Sequence, residues 1–241
     1  MLKIDLHIHT VASGHAHSTI AEYINRAKEL KMKIIGISDH GPSLDCTLAD
    51  VVYFKQAFRI PKIIDGIRVL KGVEANIINE KGDIDLPDTV LEKLDYVLAA
   101  FHFITPYKDA GEEKNTKAMI NAIRSGKINI LSHPFVNNNK FCYNLEKIAE
   151  TACEHNVLLE VNTSYIKEHR LTDQLVENIK LMLKVVREHN KKVIVNSDSH
   201  NIWELGDDTP LKKIQSRLRL EKELIINNYP GELLKLLKIK Q

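Results

Sequence analysis

Histidines and carboxylates recur at the ends of apolar runs along this chain of 241 residues. The first run, 2–6, is followed at once by His7 and His9. These two point to the same side if the run is a strand, because strand side chains alternate between faces. One further candidate lies in the loop after this run and the others follow later apolar runs: His15, His40, Glu74, His102, His133, Asp198 and His200.

These residue types predict a metal site. Neutral imidazole and carboxylate oxygen are the ligands that borderline divalent ions prefer. Taken singly, each residue also has a structural explanation, such as a strand-end histidine or a surface acid. One tetrahedral ion uses about four ligands, so nine candidates predict two or three ions bridged by carboxylate. Two ions about 3.5–4 Å apart would polarise a phosphoryl oxygen, share a hydroxide nucleophile and neutralise the charge of a leaving group.

The composition is that of an ordinary globular protein, with 44% hydrophobic and 27% charged residues. A net charge of +2 gives no electrostatic argument for a nucleic acid or an acidic membrane surface as partner. No apolar stretch approaches the length of a membrane span, and the first run is broken by charges, so no signal peptide is predicted. The three cysteines lack metal-site or disulfide spacing, which favours a reducing cytoplasm.

Seven apolar runs predict strands, and helical patterns lie between them. Thr19 and Glu22 form a capping box, and Asn144 can cap a later helix. His155 and His189 each precede an asparagine, which is typical of helix C-termini rather than of metal ligands. The predicted strands are 2–6, 33–38, 67–73, 95–101, 128–131, 157–161 and 193–196. The predicted helices are 20–30, 47–65 (poorly patterned), 86–94, 113–125, one after Asn144, one ending near His189, and 211–241, broken at Pro230, with an exposed basic face over 212–222.

Strands that alternate with helices predict parallel βα units in an α/β fold. No glycine-rich phosphate-binding fingerprint follows any strand, which argues against a nucleotide-binding open sheet and favours a seven-stranded barrel. In α/β barrels the side chains at the carboxyl ends of the strands converge on one mouth. We therefore predict a single domain, 1–241, with its metal site at the carboxyl ends of the strands.

Five motifs resemble those of the PHP (polymerase and histidinol phosphatase) superfamily. They are Asp5-Leu6-His7-Ile8-His9-Thr10, Ser38-Asp39-His40-Gly41-Pro42, Gly72-Val73-Glu74, Ser132-His133-Pro134 and Ser197-Asp198-Ser199-His200. Their order and spacing are most similar to small stand-alone phosphatases of the YcdX type, over nearly the whole chain. The resemblance implies a distorted, TIM-like (βα)7 barrel with three metal ions, commonly zinc, and the ligand types would also accept manganese or iron.

The resemblance also implies a division of ligands among the ions. His7, His9, Glu74 and Asp198 would hold one ion, Glu74 would bridge to a second completed by His102 and His133, and His15, His40 and His200 would hold the third. Glu74 and Asp198 would then be catalytic through the hydroxide that their ions share.

Four further residues are candidates for contacts with the substrate or with the ligands. At His17 the YcdX-type subgroup is expected to carry a tyrosine, and an extra ligand or a phosphate contact would fit there. Glu160 or Asn162, at the end of the sixth strand, would orient a metal-bound histidine or a substrate. Arg170 would clamp a phosphate, although a surface arginine is the simpler interpretation.

These inferences predict a cytoplasmic, metal-dependent phosphatase that acts on a small phosphorylated substrate. The enzymatic alternatives are histidinol-phosphate hydrolysis and a nuclease for nucleotide ends, although the near-neutral charge argues against polymers. A catalytically silent, metal-stabilised binding module is expected to lose ligands, and none of the nine is missing. Metal-dependent amidohydrolases usually bring a strand-borne lysine, which no strand end here provides. The sequence leaves open the substrate, the general acid and whether the chain forms homo-oligomers.

Overall fold

The computed structural model describes residues 1–136 and 140–239, which contain nine strands and eight α-helices. The strands are β1 Ile4–Asp5, β2 Ile34–Ile37, β3 Ile63–Ile64, β4 Ile67–Lys71, β5 Glu74–Asn76, β6 Leu98–Ala100, β7 Ile130–Leu131, β8 Leu158–Asn162 and β9 Ile194–Asn196. The helices are α1 Ile20–Glu29, α2 Val51–Lys55, α3 Asp88–Leu91, α4 Glu112–Arg124, α5 Leu145–Glu154, α6 Asp173–Glu188, α7 Thr209–Leu218 and α8 Pro230–Leu236. No helix in these two ranges has the length and apolar character needed to cross a membrane.

The strands form two sheets. One has the order β1-β2-β4-β3, in which only the short edge strand β3 is antiparallel. The other is wholly parallel and runs β5-β6-β7-β8-β9 in chain order. Single parallel bridges link the sheets, from His40 to Glu74 and from Ile8 to Ser199. The predicted parallel α/β fold is confirmed, whereas the described residues contain two linked sheets and not one closed sheet.

The third predicted strand, 67–73, is divided where it changes its neighbour. β4 pairs with β2, and after Gly72 the chain continues as β5, which pairs with β6. The buried ring of Tyr96 lies against this break, and its hydroxyl donates to the Leu6 carbonyl at 2.8 Å. A Cβ at Gly72 would lie 2.4 Å from Tyr96 Cζ, so only glycine leaves room for the ring at this position.

Strands of both sheets surround one buried apolar cluster. Its strand residues are Ile4, Ile34, Leu70, Leu98, Ile130, Leu158 and Ile194. Leu233, Leu234 and Leu237, from α8 and the residue after it, pack into the same cluster. The C-terminal helix, whose role the sequence did not reveal, therefore contributes directly to the core around which both sheets are arranged.

The predicted helix caps are confirmed. Thr19 and Glu22 form both hydrogen bonds of the capping box of α1, and the Asn144 side chain accepts from the third residue of α5. His155 and His189 are the C-cap residues of α5 and α6, and the asparagine after each has a positive φ. Neither of these two histidines belongs to the metal-ligand cluster described below.

Three predicted helices are shorter than expected. The segment 47–65 contains only α2, a 3₁₀ turn and β3, and 86–94 contains the single turn of α3. In the tail, 3₁₀ turns separate α7 from α8, and Pro230 begins α8, where its missing N–H costs no hydrogen bond. The basic side chains of 212–222 are exposed as predicted, and all three cysteines are free.

Candidate metal centre

The nine predicted ligands lie together at the carboxyl ends of the strands. β5 begins with Glu74, and the other eight follow strands or lie in the loops beyond them. Six of the nine are buried, His102 and His200 are half-buried, and His15 is exposed. His133 and Asp198 have φ values of +35° and +54°. Such left-handed conformations cost energy for residues other than glycine and cluster at functional sites.

The Glu74 carboxylate lies at the centre of this cluster. Its oxygens are 3.0 Å from His40 Nδ1, 3.1 Å from His133 Nε2, 3.3 Å from His7 Nε2, and 3.5 Å from both His9 Nε2 and His102 Nε2. The second carboxylate, that of Asp198, has Oδ1 3.1 Å from His9 Nε2 and 3.5 Å from His7 Nε2. Two carboxylates therefore face a set of imidazole nitrogens across a small buried space.

These nitrogens have the chemistry of metal ligands. His7 Nε2, His9 Nε2 and His40 Nδ1 are buried and have no hydrogen-bond partner among the described residues. Burial lowers the pKa of His9 to about 4, against the opposing effect of Asp198. Burial and the nearby His9 lower the pKa of His40 to about 3. Neutral imidazoles with free lone pairs beside carboxylates are what a divalent cation requires.

The carboxylates of the site raise the pKa of His7, whereas the pKa values of His9 and His40 are lowered. Burial opposes the protonation of His7, but the carboxylates of Glu160, Glu74 and Asp198 together raise the pKa of His7 well above its usual value. Likewise, burial opposes the ionisation of Glu74, but the surrounding histidines hold the pKa of Glu74 well below its usual value. A cation that binds in this carboxylate-rich space would therefore have to displace a proton from His7.

The ligand atoms fall into overlapping groups. Three groups among the described residues have one ligand atom of each member within 4.8 Å of the others: His7, His9 and Asp198; His9, His40 and His200; and His40, Glu74 and His102. His133 joins through Glu74, and His15 Nε2 is 2.9 Å from His200 Nε2. All nine predicted ligands thus belong to one cluster. His40 lies beside Glu74 as well as beside His200, so metal binding and the division of ligands among ions stay predictions.

Hydrogen bonds on the far side of the rings of His7 and His9 determine which nitrogen of each faces the site. Glu160 Oε1 lies 2.8 Å from His7 Nδ1, so Nδ1 donates, and in the neutral ring the lone pair is on His7 Nε2. The Ser13 hydroxyl donates to Asp39 at 2.7 Å and therefore accepts from His9 Nδ1 at 3.1 Å. The hydrogen-bond network thus assigns to His9 the tautomer that leaves Nε2 as a ligand. The sequence predicts such a role for Glu160, whereas no sequence pattern points to Ser13 or Asp39.

Three more neighbours of the ligands were missed. Asn76 Oδ1 accepts from His102 Nδ1 at 2.7 Å, and strand alternation could have found it, because it lies two residues after Glu74. The Tyr165 ring lies 5.1 Å from the His133 ring, between centroids. Cys46 Sγ is 3.2 Å from Nδ1 of the exposed ligand His15. Cys46 and Tyr165 lie in loops, whose path no periodic pattern reveals.

The three residues predicted to contact the substrate differ in burial and in their hydrogen-bond partners. His17 is exposed, and its backbone N–H donates to the His200 carbonyl. Asn162 is fully buried, and its amide nitrogen lies 3.1 Å from both Glu160 Oε2 and Asp198 Oδ2. These contacts suit a role of Asn162 in orienting Asp198, whereas the sequence predicted that it orients a histidine or a substrate. Arg170 is exposed and donates to the Ser164 hydroxyl at 3.2 Å.

The fold and the site define a class of protein, namely a parallel α/β protein with a buried cluster of imidazole and carboxylate ligands at the carboxyl ends of its strands. Residues 5–164 match the PHP domain family, and the chain belongs to that family. It is 38% identical over 234 residues to a protein of Shewanella piezotolerans named a probable phosphatase. That alignment covers 96% of this chain and 91% of the relative.

Two solved structures share the fold at low sequence identity. One is a histidinol phosphate phosphatase from Lactococcus lactis in complex with zinc, L-histidinol and phosphate. It has a TM-score of 0.59 and 14% identity, over 90% of this chain and 92% of that one. The other is a chain of an archaeal ribonuclease P with mature tRNA, with a TM-score of 0.60 and 17% identity, over 98% and 90%. At such identities the likeness shows the fold alone.

Proposed function

We propose that this protein is a metal-dependent phosphatase, a phosphoric-ester hydrolase with three divalent ions at the carboxyl ends of its strands. The carrying observation is the position of Glu74, one buried carboxylate within 3.5 Å of five imidazole nitrogens. Nine nitrogen and carboxylate ligands exceed the roughly four that one tetrahedral ion uses, and three ions are proposed because the resemblance to the PHP family implies three. Zinc is the expected metal by ligand preference, and manganese or iron would also suit.

The residues present fit such ions. Three buried imidazole nitrogens have no hydrogen-bond partner among the described residues. Each would destabilise the folded protein unless a cation or another group binds it. The residues proposed to hold the ions are His7, His9, His15, His40, Glu74, His102, His133, Asp198 and His200. Two PHP-family relationships support hydrolysis of phosphate esters: the match over 5–164 and the Shewanella relative named a probable phosphatase.

When bound, divalent ions would activate a water molecule for attack on phosphorus and offset the charge of the phosphoryl oxygens. The chain's own residues prepare the site for this. Glu160 and the Ser13–Asp39 pair hold His7 and His9 in the tautomers that ligate. Asn162 holds the Asp198 carboxylate in place. Arg170 is proposed to bind a phosphate oxygen and His17 to contact the substrate at the exposed rim.

The same proposal covers the architecture. The two sheets are proposed to be parts of one distorted seven-stranded barrel, because the bridges from Ile8 to Ser199 and from His40 to Glu74 link their edges. Residues 1–241 would form a single domain, since strands of both sheets share one apolar cluster. A small phosphorylated substrate and a cytoplasmic location complete the proposal.

The experiment is a substrate screen on protein purified without chelator. Bound metals are measured first, and then a panel of phosphomonoesters and diesters that includes histidinol phosphate and short oligonucleotides is tested. Hydrolysis that chelator abolishes and zinc or manganese restores is the expected result. A protein that retains its metals but hydrolyses no ester would overturn the phosphatase proposal and favour a binding module. Preferential release of nucleotides from oligonucleotide ends would favour the nuclease.

A further inference from the structure

The carboxylate of Asp85 lies behind the candidate metal centre, and the proposed metal chemistry gives it no role. Asp85 is half-buried and directly follows the turn over residues 77–84, which an antiparallel bridge between Ile77 and Ile84 closes. It is not one of the nine predicted ligands, and none of the five motifs includes it. Its two oxygens nevertheless accept four hydrogen bonds, all of them from Asn76 and Ser43.

Asn76 connects Asp85 to the proposed ligand His102. The Asn76 amide nitrogen donates to Asp85 Oδ2 at 2.5 Å and to the Gly41 carbonyl at 3.2 Å. Because an amide nitrogen can only donate, these two acceptors fix the orientation of this fully buried side chain. The Asn76 oxygen must then face His102, whose Nδ1 lies 2.7 Å away. His102 Nδ1 therefore donates, and in the neutral ring the lone pair is on Nε2, which lies 3.5 Å from Glu74 Oε1.

The same carboxylate holds the loop that follows His40. Asp85 Oδ2 accepts from the Ser43 backbone N–H at 3.0 Å and from the Ser43 hydroxyl at 2.8 Å. A Cβ at Gly41 would lie 2.3 Å from Asp85 Oδ1, so any other residue at this position would displace the carboxylate. His40 and His102 belong to the same group of candidate ligand atoms. One carboxylate therefore supports both histidines of that group.

We propose that Asp85 is a positioning residue for the ion that His102 binds, and that it acts through the amide of Asn76. Asp85 touches neither metal nor substrate, but it keeps Asn76 in the orientation that leaves His102 Nε2 free to ligate. This role rests on the proposed metal-dependent function. Loss of a group that orients a ligating histidine typically lowers metal affinity about 10–100-fold. Because other groups orient His7 and His9, the effect should be confined to one ion.

Zinc retention by the full-length protein tests this selectivity. Wild-type and Asp85→Ala proteins are loaded with zinc and equilibrated with chelators of graded affinity, and the bound zinc is counted by elemental analysis. Asp85→Ala should bind one ion at least about tenfold more weakly and retain the remaining zinc as the wild type does. Asp83→Ala removes an exposed carboxylate from the turn over 77–84 and should retain all zinc. Weaker binding of every ion in Asp85→Ala, or of none, would overturn the proposal.

Two further variants distinguish this positioning role from a general loss of structure. In Asp85→Asn the side-chain oxygen can still take the place of Oδ2 and lose only the hydrogen bond from the Asn76 backbone, so zinc affinity should return to within about fivefold of the wild type. Because Asn76 is the intermediate, the double variant Asn76→Ala/Asp85→Ala should lose less affinity than the product of the two single losses. No recovery in Asp85→Asn, or a full product in the double variant, contradicts the assignment.

The ring of His102 gives a readout that needs neither metal nor turnover. Nitrogen NMR of the metal-free protein at mildly alkaline pH should find the His102 proton on Nδ1 in the wild type and a mixture of tautomers in Asp85→Ala. A proton on Nε2 in the wild type, or an unchanged tautomer in the variant, would overturn the role of Asp85.

Ester hydrolysis separates this role from the proposed function. If no ester is hydrolysed but Asp85→Ala shows the selective zinc loss and the mixed tautomers, the phosphatase fails and the role of Asp85 stands. If esters are hydrolysed but Asp85→Ala matches the wild type in zinc retention and tautomer, the role of Asp85 alone fails. A wild-type protein that binds no zinc would overturn both.

Discussion

Glu160→Gln should weaken metal binding although Glu160 is not itself a proposed ligand. Glu160 is fully buried, and donors surround both of its oxygens. Oε1 accepts from His7 Nδ1 and from the Asn196 amide, each at 2.8 Å. Oε2 accepts from the His133 backbone N–H at 2.9 Å and from the Asn162 amide at 3.1 Å. Whichever way a glutamine is turned, its amide nitrogen must face two of these four donors.

The variant can relieve this conflict by changing the ring of His7. If Nδ1 of His7 becomes the acceptor, its proton moves to Nε2, the nitrogen that lies 3.3 Å from Glu74 and would ligate the ion. Loss of a carboxylate behind a ligating histidine typically lowers metal affinity by about 10–100-fold. We therefore expect zinc to bind about 1.4–2.7 kcal/mol less tightly, with side-chain size unchanged.

Zinc competition against a chromogenic chelator measures this affinity directly. Glu150→Gln, at an exposed position of α5, removes the same charge far from the ligands and should bind zinc as the wild type does. Thermal unfolding of both metal-free variants controls for loss of the fold. If Glu160→Gln binds zinc within twofold of the wild type, then Glu160 does not set the tautomer of His7, and the reasoning from the hydrogen-bond network fails.

Three further predictions concern the metals. Glu74→Gln should lower kcat at least about a thousandfold, which corresponds to roughly 4 kcal/mol of activation free energy. It should also lower the number of bound ions, because it removes the charge that faces five imidazoles. Near-normal turnover with all metal retained would show that Glu74 does not bridge two ions. Elemental analysis should find about three ions per chain, and one or fewer excludes a trinuclear site. Carboxylates raise the pKa of His7 and of His133 against the effect of burial, so an ion must displace protons there. Zinc affinity and activity should therefore rise from acid toward neutral or alkaline pH. An activity optimum near pH 5 would contradict this prediction.

The parts of the fold that sequence predicted are those with local causes. The strands β2, β8 and β9 are continuous runs of buried residues, and the capping box of α1 is a two-residue signature. The parts of the fold that the sequence did not predict depend on packing between distant residues. At Gly72, where the strand changes its neighbour, the ring of Tyr96, 24 residues away along the chain, leaves room only for glycine. No periodicity in 67–73 could reveal it.

In the candidate site, too, features with a local cause were predicted from the sequence, and features that depend on packing were not. Residue type and strand-end position predicted that nine histidines and carboxylates converge, and they form one cluster, because parallel strands bring their carboxyl ends to one edge. That these residues bind metal stays a prediction. The orienting groups were harder to predict. Ser13 and Asp39 are 26 residues apart, and they affect His9 only because the Ser13 hydroxyl donates to Asp39 and accepts from His9 Nδ1. Such a relay depends on distances that a sequence does not contain.

Strand alternation explains why the candidate metal centre adjoins the apolar cluster. On β8, Leu158 belongs to the cluster, and Glu160 and Asn162 follow on the same face at intervals of two residues. On β9, Ile194 belongs to the cluster, and Asn196 follows on that face. One face of each strand thus changes from core to polar support within two residues. The apolar residues hold the strands together, and the polar residues Glu160, Asn162 and Asn196 hold the side chains of the candidate site. A substitution among these polar residues should therefore reduce metal affinity more than it reduces the stability of the fold.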